Sequence, residues 1–209
     1  MIDLDFAVQG VEIARRSATP LLIFKLRIGA TAPVEHAIVQ AQIRIEATHR
    51  DYAPAERERL SELFGAAADW DRSLRGLLWT TASASVPGFA EECTVDLPVP
   101  CSYDFEIAAT KFLHGVQEGE VPLLLLFSGP VFFRNAEGDL QIGQIAHHKE
   151  AGYRLPVSLW QSVMAQHYPD RIWLRLERDL FEQVYEYKRR NGFPGFDQAM
   201  RALLAESVR

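Results

Sequence analysis

The chain has 209 residues, 48% of them hydrophobic and 24% charged. These are ordinary globular values that exclude a fibrous or disordered protein and leave room for one domain, or one domain with an appendage. Acids outnumber Lys and Arg by 28 to 22, and a net charge of −6 argues against nucleic-acid binding, whose affinity comes from basic clusters set against phosphates.

The first half alternates with period two. Leu4 to Val8 and Val11 to Ala14, split by Gly10, predict a weak first pair of strands. In Leu21 to Ile28 the residues Leu22, Phe24, Leu26 and Ile28 share one face, and Lys25 and Arg27 the other. In Ile38 to Ala47, Val39, Ala41, Ile43 and Ile45 oppose Gln40, Gln42, Arg44 and Glu46. Strands with one apolar and one wet face belong to antiparallel sheets. Gly29 to Pro33 supplies the turn between them.

The period then changes. Pro54 is placed to open a helix, because a first-turn proline loses no needed hydrogen bond. Leu60, Leu63 and Phe64 form its apolar stripe, and Gly65 can end it. A second short helix is expected after Asp69 as N-cap, with Leu74, Leu77 and Leu78 facing inward. Strand patterns return at Thr80 to Val86, Cys93 to Leu97 and Ser102 to Ile107. Ala108 to Val116 reads as a helix, with Gly119 in the turn after it. Val121 to Phe127 reads as a strand buried on both faces. Pro130 to Arg134 and Leu140 to Ile145 flank Asn135 to Asp139, a hairpin turn.

The last quarter is helical. Val157 to His167 carries Leu159, Trp160, Val163 and Met164 on one side, and Ile172 to Leu176 is read as a short edge strand. Asp179 with Glu182 forms a capping-box pattern for a helix striped by Leu180, Val184 and Tyr187. Asn191-Gly192-Phe193-Pro194 is a stop signal, and Phe196, Met200 and Leu203 line a final helix. The expected fold class is α+β: an antiparallel β-sandwich with helical insertions and a C-terminal helical subdomain. Residues 1–150 form the sandwich, with a helical insertion near 54–79, and residues 151–209 form a mainly helical subdomain packed on it.

Chemistry is sparse. His147 and His148 are neighbours, and neighbours on a strand point to opposite faces. With no third ligand near in sequence, no metal is expected. Tyr103, Asp104 and Glu106 fall near a predicted junction with these histidines, where pockets form. The five residues are the candidate lining of a small-ligand pocket between sandwich and helical cap. Asp104 and Glu106 share a strand face but have no nucleophile or oxyanion donors beside them. His114 and Glu118 are spaced for one helical face, and Arg57 and Arg59 alternate with acids in a salted helix. Phosphate-binding glycine loops and the hydrolase elbow are absent. Cys93 and Cys101, as points on one strand, would be about 26 Å apart at roughly 3.3 Å per residue; they could meet only if Pro98 and Pro100 bend the chain. No catalytic residue and no cofactor is assigned, and the reading favours a binding module over an enzyme. The two acids near the start, and an apolar stretch (Val121 to Phe133) shorter than the ~20 residues that span a bilayer, lead to the expectation of a cytoplasmic protein without membrane insertion.

Several stretches occur together: Leu4-Asp5-Phe6, Val86-Pro87-Gly88-Phe89, Asp96 to Glu106, Gly119 to Gly129, and Tyr153-Arg154-Leu155-Pro156-Val157. The set resembles an uncharacterised bacterial family, a domain of unknown function of about this length, often encoded near genes for high-affinity, oxygen-tolerant nickel–iron hydrogenases. The resemblance covers nearly the whole chain. It implies an accessory or assembly role, with hydrogenase subunits or maturation proteins as partners, and it carries no catalytic residues over. Direct handling of nickel or iron would call for clusters of His, Cys or carboxylate, which the sequence does not display.

Overall fold

A computed structural model describes residues 2–105, 107–169, 172 and 174–207, with the side chain of Asp71 left aside. Glu106 and Trp173 therefore lie outside the described residues. The chain forms two compact units, residues 1–172 and 173–209. The first thus runs past residue 150, where the sequence pattern puts the end of the sandwich.

The first unit is a β-sandwich with helical additions. One layer is a three-stranded antiparallel sheet in which β2 (Leu21–Ala30) lies between β1 (Leu4–Ile13) and β5 (Glu92–Pro100). The other is organised around β3 (Val34–Ile45). One edge of β3 is paired along its length by β4 (Leu77–Phe89). The opposite edge is shared by β6 (Glu120–Ser128), which pairs Gln40 to Ile45, and β7 (Pro130–Arg134), which pairs Val34 to Ala37. Beyond them, β8 (Leu140–Gln144) pairs with β7 and β9 (Glu150–Pro156) with β6. All these pairings are antiparallel.

The period-two pattern has its predicted result. Leu22, Phe24, Leu26 and Ile28 of β2 face Val39, Ala41, Ile43 and Ile45 of β3 in one core, all eight fully buried. Burial of a large aliphatic or aromatic side chain stabilises by about 1.5–3 kcal/mol. Phe6 stacks on Phe127 across the layers at 4.2 Å, and Phe24 meets Tyr153 edge-on at 5.9 Å. On the outer face of the smaller sheet, Lys25 lies between Glu12 and Asp96, and Arg27 between Asp5 and Glu92.

Some elements differ from the sequence expectation. The first strand pair is a single strand, β1, whose register slips between Val8 and Gly10; a bulge absorbs the extra residue and pairing with β2 resumes. The helix after Asp69 is only one turn, α3 (Trp70–Ser73), and the Asp69 side chain does not cap it. Leu77 and Leu78 open β4 instead, so the two-residue period turns Leu78 outward, 56% exposed. Residues 102–105 and 107 are not a strand. The Ser102 hydroxyl accepts the Asp104 N–H at 3.0 Å and the Ser102 carbonyl accepts the Thr110 hydroxyl at 3.3 Å, local bonds that replace a ladder. Ile172 and Leu174 to Leu176 are likewise irregular.

The β3–β4 connection carries α1 (Pro54–Arg59), α2 (Ser61–Phe64) and α3. With α4 (Ala108–Gly115) they make a satellite core in which Tyr52, Phe64, Trp70 and Phe112 meet edge-to-face at 5.1–6.3 Å. The helix α5 (Val157–His167) completes the unit. The second unit is a helical hairpin, α6 (Arg178–Arg190) and α7 (Phe196–Ser207). Between its helices Gly192 has φ 67°, and the N–H groups of Gly192 and Phe193 donate to the carbonyls of Arg189 and Lys188, the predicted glycine stop. The expected capping box is not formed: α6 starts at Arg178, where no side chain caps it.

The step between β6 and β7 is Gly129, with φ 130°. A Cβ there would overlap the carbonyl oxygen of Ile38 on β3. Gly129→Ala is therefore expected to cost about 3 kcal/mol or more in urea unfolding, at the upper end for single substitutions. Gly138→Ala, in the β7–β8 turn at φ 89° with open space around it, is expected to cost only about 1–2 kcal/mol, the left-handed penalty alone.

Candidate functional site

Three elements of the first unit converge on a cleft of about 390 Å³. Helix α5 contributes Trp160, Gln161, Met164 and Ala165; α4 contributes Leu113 and His114; and α1 contributes Arg59. Tyr103 enters from the 101–107 segment, Gln117 from the α4–β6 turn, and Tyr168 from the end of α5. The rings form a continuous wall: Tyr103 stacks on Tyr168 at 5.1 Å, and Trp160 lies 6.2 Å from Tyr103. Gln161 Nε2 donates to the Gln117 carbonyl at 3.1 Å, which ties α5 to the α4–β6 turn.

None of the described residues that line this cleft is acidic. Arg59 forms no ion pair or hydrogen bond with another described residue. Partial burial, and then the neighbouring Arg59 guanidinium, hold the His114 imidazole below its ordinary pKa. The indole Nε1–H of Trp160, a residue only 3% exposed, has no acceptor. An unsatisfied buried donor costs about 1–3 kcal/mol.

A buried ion pair holds the turn that carries Gln117. Arg50 Nη2 donates to both Glu56 carboxylate oxygens at 2.9 and 3.0 Å. Glu56 also accepts the backbone N–H of Gln117 at 2.7 Å and of Ala53 at 3.1 Å. Burial alone would raise the Glu56 pKa, but the two N–H donors and Arg50 outweigh it and hold the carboxyl below its usual value. The guanidinium lies 4.8 Å over the Tyr52 ring, and the Tyr52 hydroxyl donates to the Ala47 carbonyl at 2.6 Å. Glu56, read from sequence as one acid of a salted helix face, is thus 4% exposed and joins α1 to the turn that carries Gln117.

Of the five residues singled out in sequence, Tyr103 lines the cleft. Asp104 follows it in the same segment, with its N–H bonded to Ser102, and Glu106 lies outside the described residues. His147 and His148 sit in the turn between β8 and β9, their rings edge-on at 5.7 Å, and are not among the cleft residues. The same turn carries the Lys149–Asp3 ion pair at 2.8 Å. No group of three or more His, Cys, Asp or Glu among the described residues could hold a metal ion. His114, read from sequence as part of a solvated pair with Glu118, lies instead at the cleft with its ring 4.8 Å from Phe105. His167 at the α5 terminus has its ring nitrogens 2.9 Å from the Val163 carbonyl and 3.2 Å from that of Ser17. Sequence reasoning missed Arg59, Gln117, Gln161 and Tyr168 as a group, because they come from three separate parts of the chain: α1, the α4–β6 turn and α5 with its end.

Both cysteines are free. β5 runs straight through Pro98 and Pro100, paired with β2 at both, so the chain does not bend to bring Cys93 and Cys101 together. Burial pushes the Cys101 thiol up to about 12 and raises that of Cys93 as well.

Taken together, these features define a two-layer antiparallel β-sandwich with an added helical cleft and a helical hairpin. No helix among the described residues is long and apolar enough to cross a membrane. The chain belongs to a family of unknown function, DUF6084, whose model matches residues 1–209. No curated protein matches it. Among solved structures it is similar to the CARDB domain of a Pyrococcus furiosus protein in complex with di-metal ions, at 11% identity and a TM-score of 0.28, covering 74% of this chain and 92% of that one. It is also similar to β-glucosidase from Kluyveromyces marxianus, at 8% identity and a TM-score of 0.26, where 73% of this chain spans only 15% of the other. Likenesses this faint carry no argument about fold or function.

Glu56→Gln is expected to destabilise by about 3–5 kcal/mol, because it leaves the Arg50 charge buried without its partner. The folded Glu56 pKa lies below the unfolded value, so its contribution is present above about pH 4.5 and is lost as pH falls through the lowered folded value. Urea unfolding of wild type and variant between pH 7 and pH 3 should show the gap between them narrowing on the acid side. Thiol titration with a disulfide reagent at pH 8 should leave Cys101 unmodified in native protein and reveal both cysteines after denaturation.

Proposed function

We propose that this protein is a non-enzymatic accessory module that binds a protein partner through its C-terminal helical hairpin. The observation that carries the reading is the apolar face of α6 and α7. Leu180, Phe181, Tyr185, Phe196 and Leu204 are 39–67% exposed. The rings of Phe181, Tyr185 and Phe196 cluster within 5.7–6.4 Å of one another, with the Lys188 ammonium over two of them. Aromatic residues ringed by charge are typical of the anchoring part of protein interfaces. A two-helix hairpin also buries little of its own: Val184 and Ala199 are its buried residues among those described. A partner chain would cover what the hairpin leaves open.

The resemblance to a family encoded near nickel–iron hydrogenase genes makes hydrogenase subunits or maturation proteins the first partners to test, in a cytoplasmic setting. A protein-binding role in assembly suits the chain better than metal delivery, since its residues offer no cluster of metal-binding side chains among those described.

Affinity capture of the full chain from its native cells, with partners quantified by mass spectrometry, tests the reading. Stoichiometric recovery of hydrogenase subunits or maturation proteins is expected, reduced at least about tenfold by Phe181→Ser with Phe196→Ser, a loss typical of two interface anchors. The variant's thermal unfolding should stay close to wild type, since both side chains are exposed. Recovery of the chain alone, or capture indifferent to the double variant, would overturn it.

A further inference from the structure

We infer that the aromatic cleft between α4 and α5 binds a small amphipathic carboxylate, a ligand with one anionic head and a flat apolar body. This reading is independent of the protein-binding role of the helical hairpin. Three observations meet at the cleft. Arg59, at its mouth, has no acidic partner among the described residues in a chain whose acids outnumber its Lys and Arg. Among the described residues no carboxylate lines the cleft, so none of them repels an anion there or neutralises the arginine. Trp160 lines the cleft, and its indole N–H, itself buried, has no acceptor among the described residues.

The shape selects the rest of the ligand. The stacked Tyr103 and Tyr168 rings and the face of Trp160 form a wall suited to a planar apolar group, with Leu113 and Met164 against its edges. The volume of about 390 Å³ falls in the range that holds small molecules. A guanidinium binds a carboxylate through paired N–H donors, a stronger and more directional contact than a neutral group can make. A neutral ligand of the same shape would leave Arg59 unpaired and lose that contact.

The test uses the full-length protein and two probes of matched shape, 4-phenylbutyrate and 4-phenylbutan-1-ol, titrated by NMR with the Trp160 indole and His114 ring signals as reporters. The carboxylate should bind at least about tenfold more tightly than the alcohol, the worth of one charge-assisted contact. Arg59→Gln, on an exposed helix face, should bring the two probes to near-equal affinity without changing the melting temperature. Equal affinity of the two probes in wild type, a carboxylate preference that survives Arg59→Gln, or no response of the cleft signals at 10 mM probe would each overturn the inference.

Discussion

The structure depends on how β3 divides its two edges. One edge is taken along its whole length by β4, and the other must serve both β6 and β7. A strand cannot leave backbone donors and acceptors unpaired in an apolar interior, so the β6–β7 run has to stay against β3 while changing course. Gly129 makes this possible, since its backbone passes the Ile38 carbonyl where no side chain fits. The break is matched on the next strand. The Ile145 N–H donates to the Gly129 carbonyl and the Phe127 N–H to that of Lys149, and between these bonds the chain makes the turn that holds His147 and His148. The two histidines are thus consequences of sheet geometry, placed where a long strand pair is interrupted.

What the sandwich leaves exposed, the helical additions organise. The Arg50–Glu56 pair sits where the β3–β4 excursion meets the α4–β6 turn, and its hydrogen bonds run to Ala53, Gln117 and Glu118. A buried pair of this kind adds little net stability over an apolar packing, but losing one partner is costly. Its value here is positional. It holds the backbone of Gln117, to which Gln161 of α5 is hydrogen-bonded. Close packing supports the same arrangement: a Cβ on Gly115 of α4 would come within 2.6 Å of the Leu60 side chain.

Two surfaces differ in kind. The cleft is aromatic, carries Arg59 and belongs to the first unit. The apolar face of α6 and α7 belongs to the second, where Glu186 pairs with Arg189 and Arg190 on the helix surface. These two paired arginines leave Lys188 over the aromatic cluster.

The sequence by itself determined the sandwich: the period-two faces of β2 and β3, the continuous apolar run of β6, the β7–β8 turn and the glycine stop after α6 all follow from local pattern, because side-chain direction on a strand or helix is fixed by spacing alone. It also pointed to Tyr103 as a pocket candidate and to Trp160 as part of the apolar side of the helix that became α5. Local pattern failed where hydrogen bonds compete with it. Ser102 to Ile107 alternates like a strand, yet the Ser102 hydroxyl and carbonyl take up donors that a ladder would have used. Tertiary structure alone decided that Glu56 is buried on Arg50 across a turn, and that Arg59, His114, Gln117, Gln161 and Tyr168 share a cleft. These contacts join segments far apart in the chain, and their meeting is set by packing, which no spacing within one segment encodes.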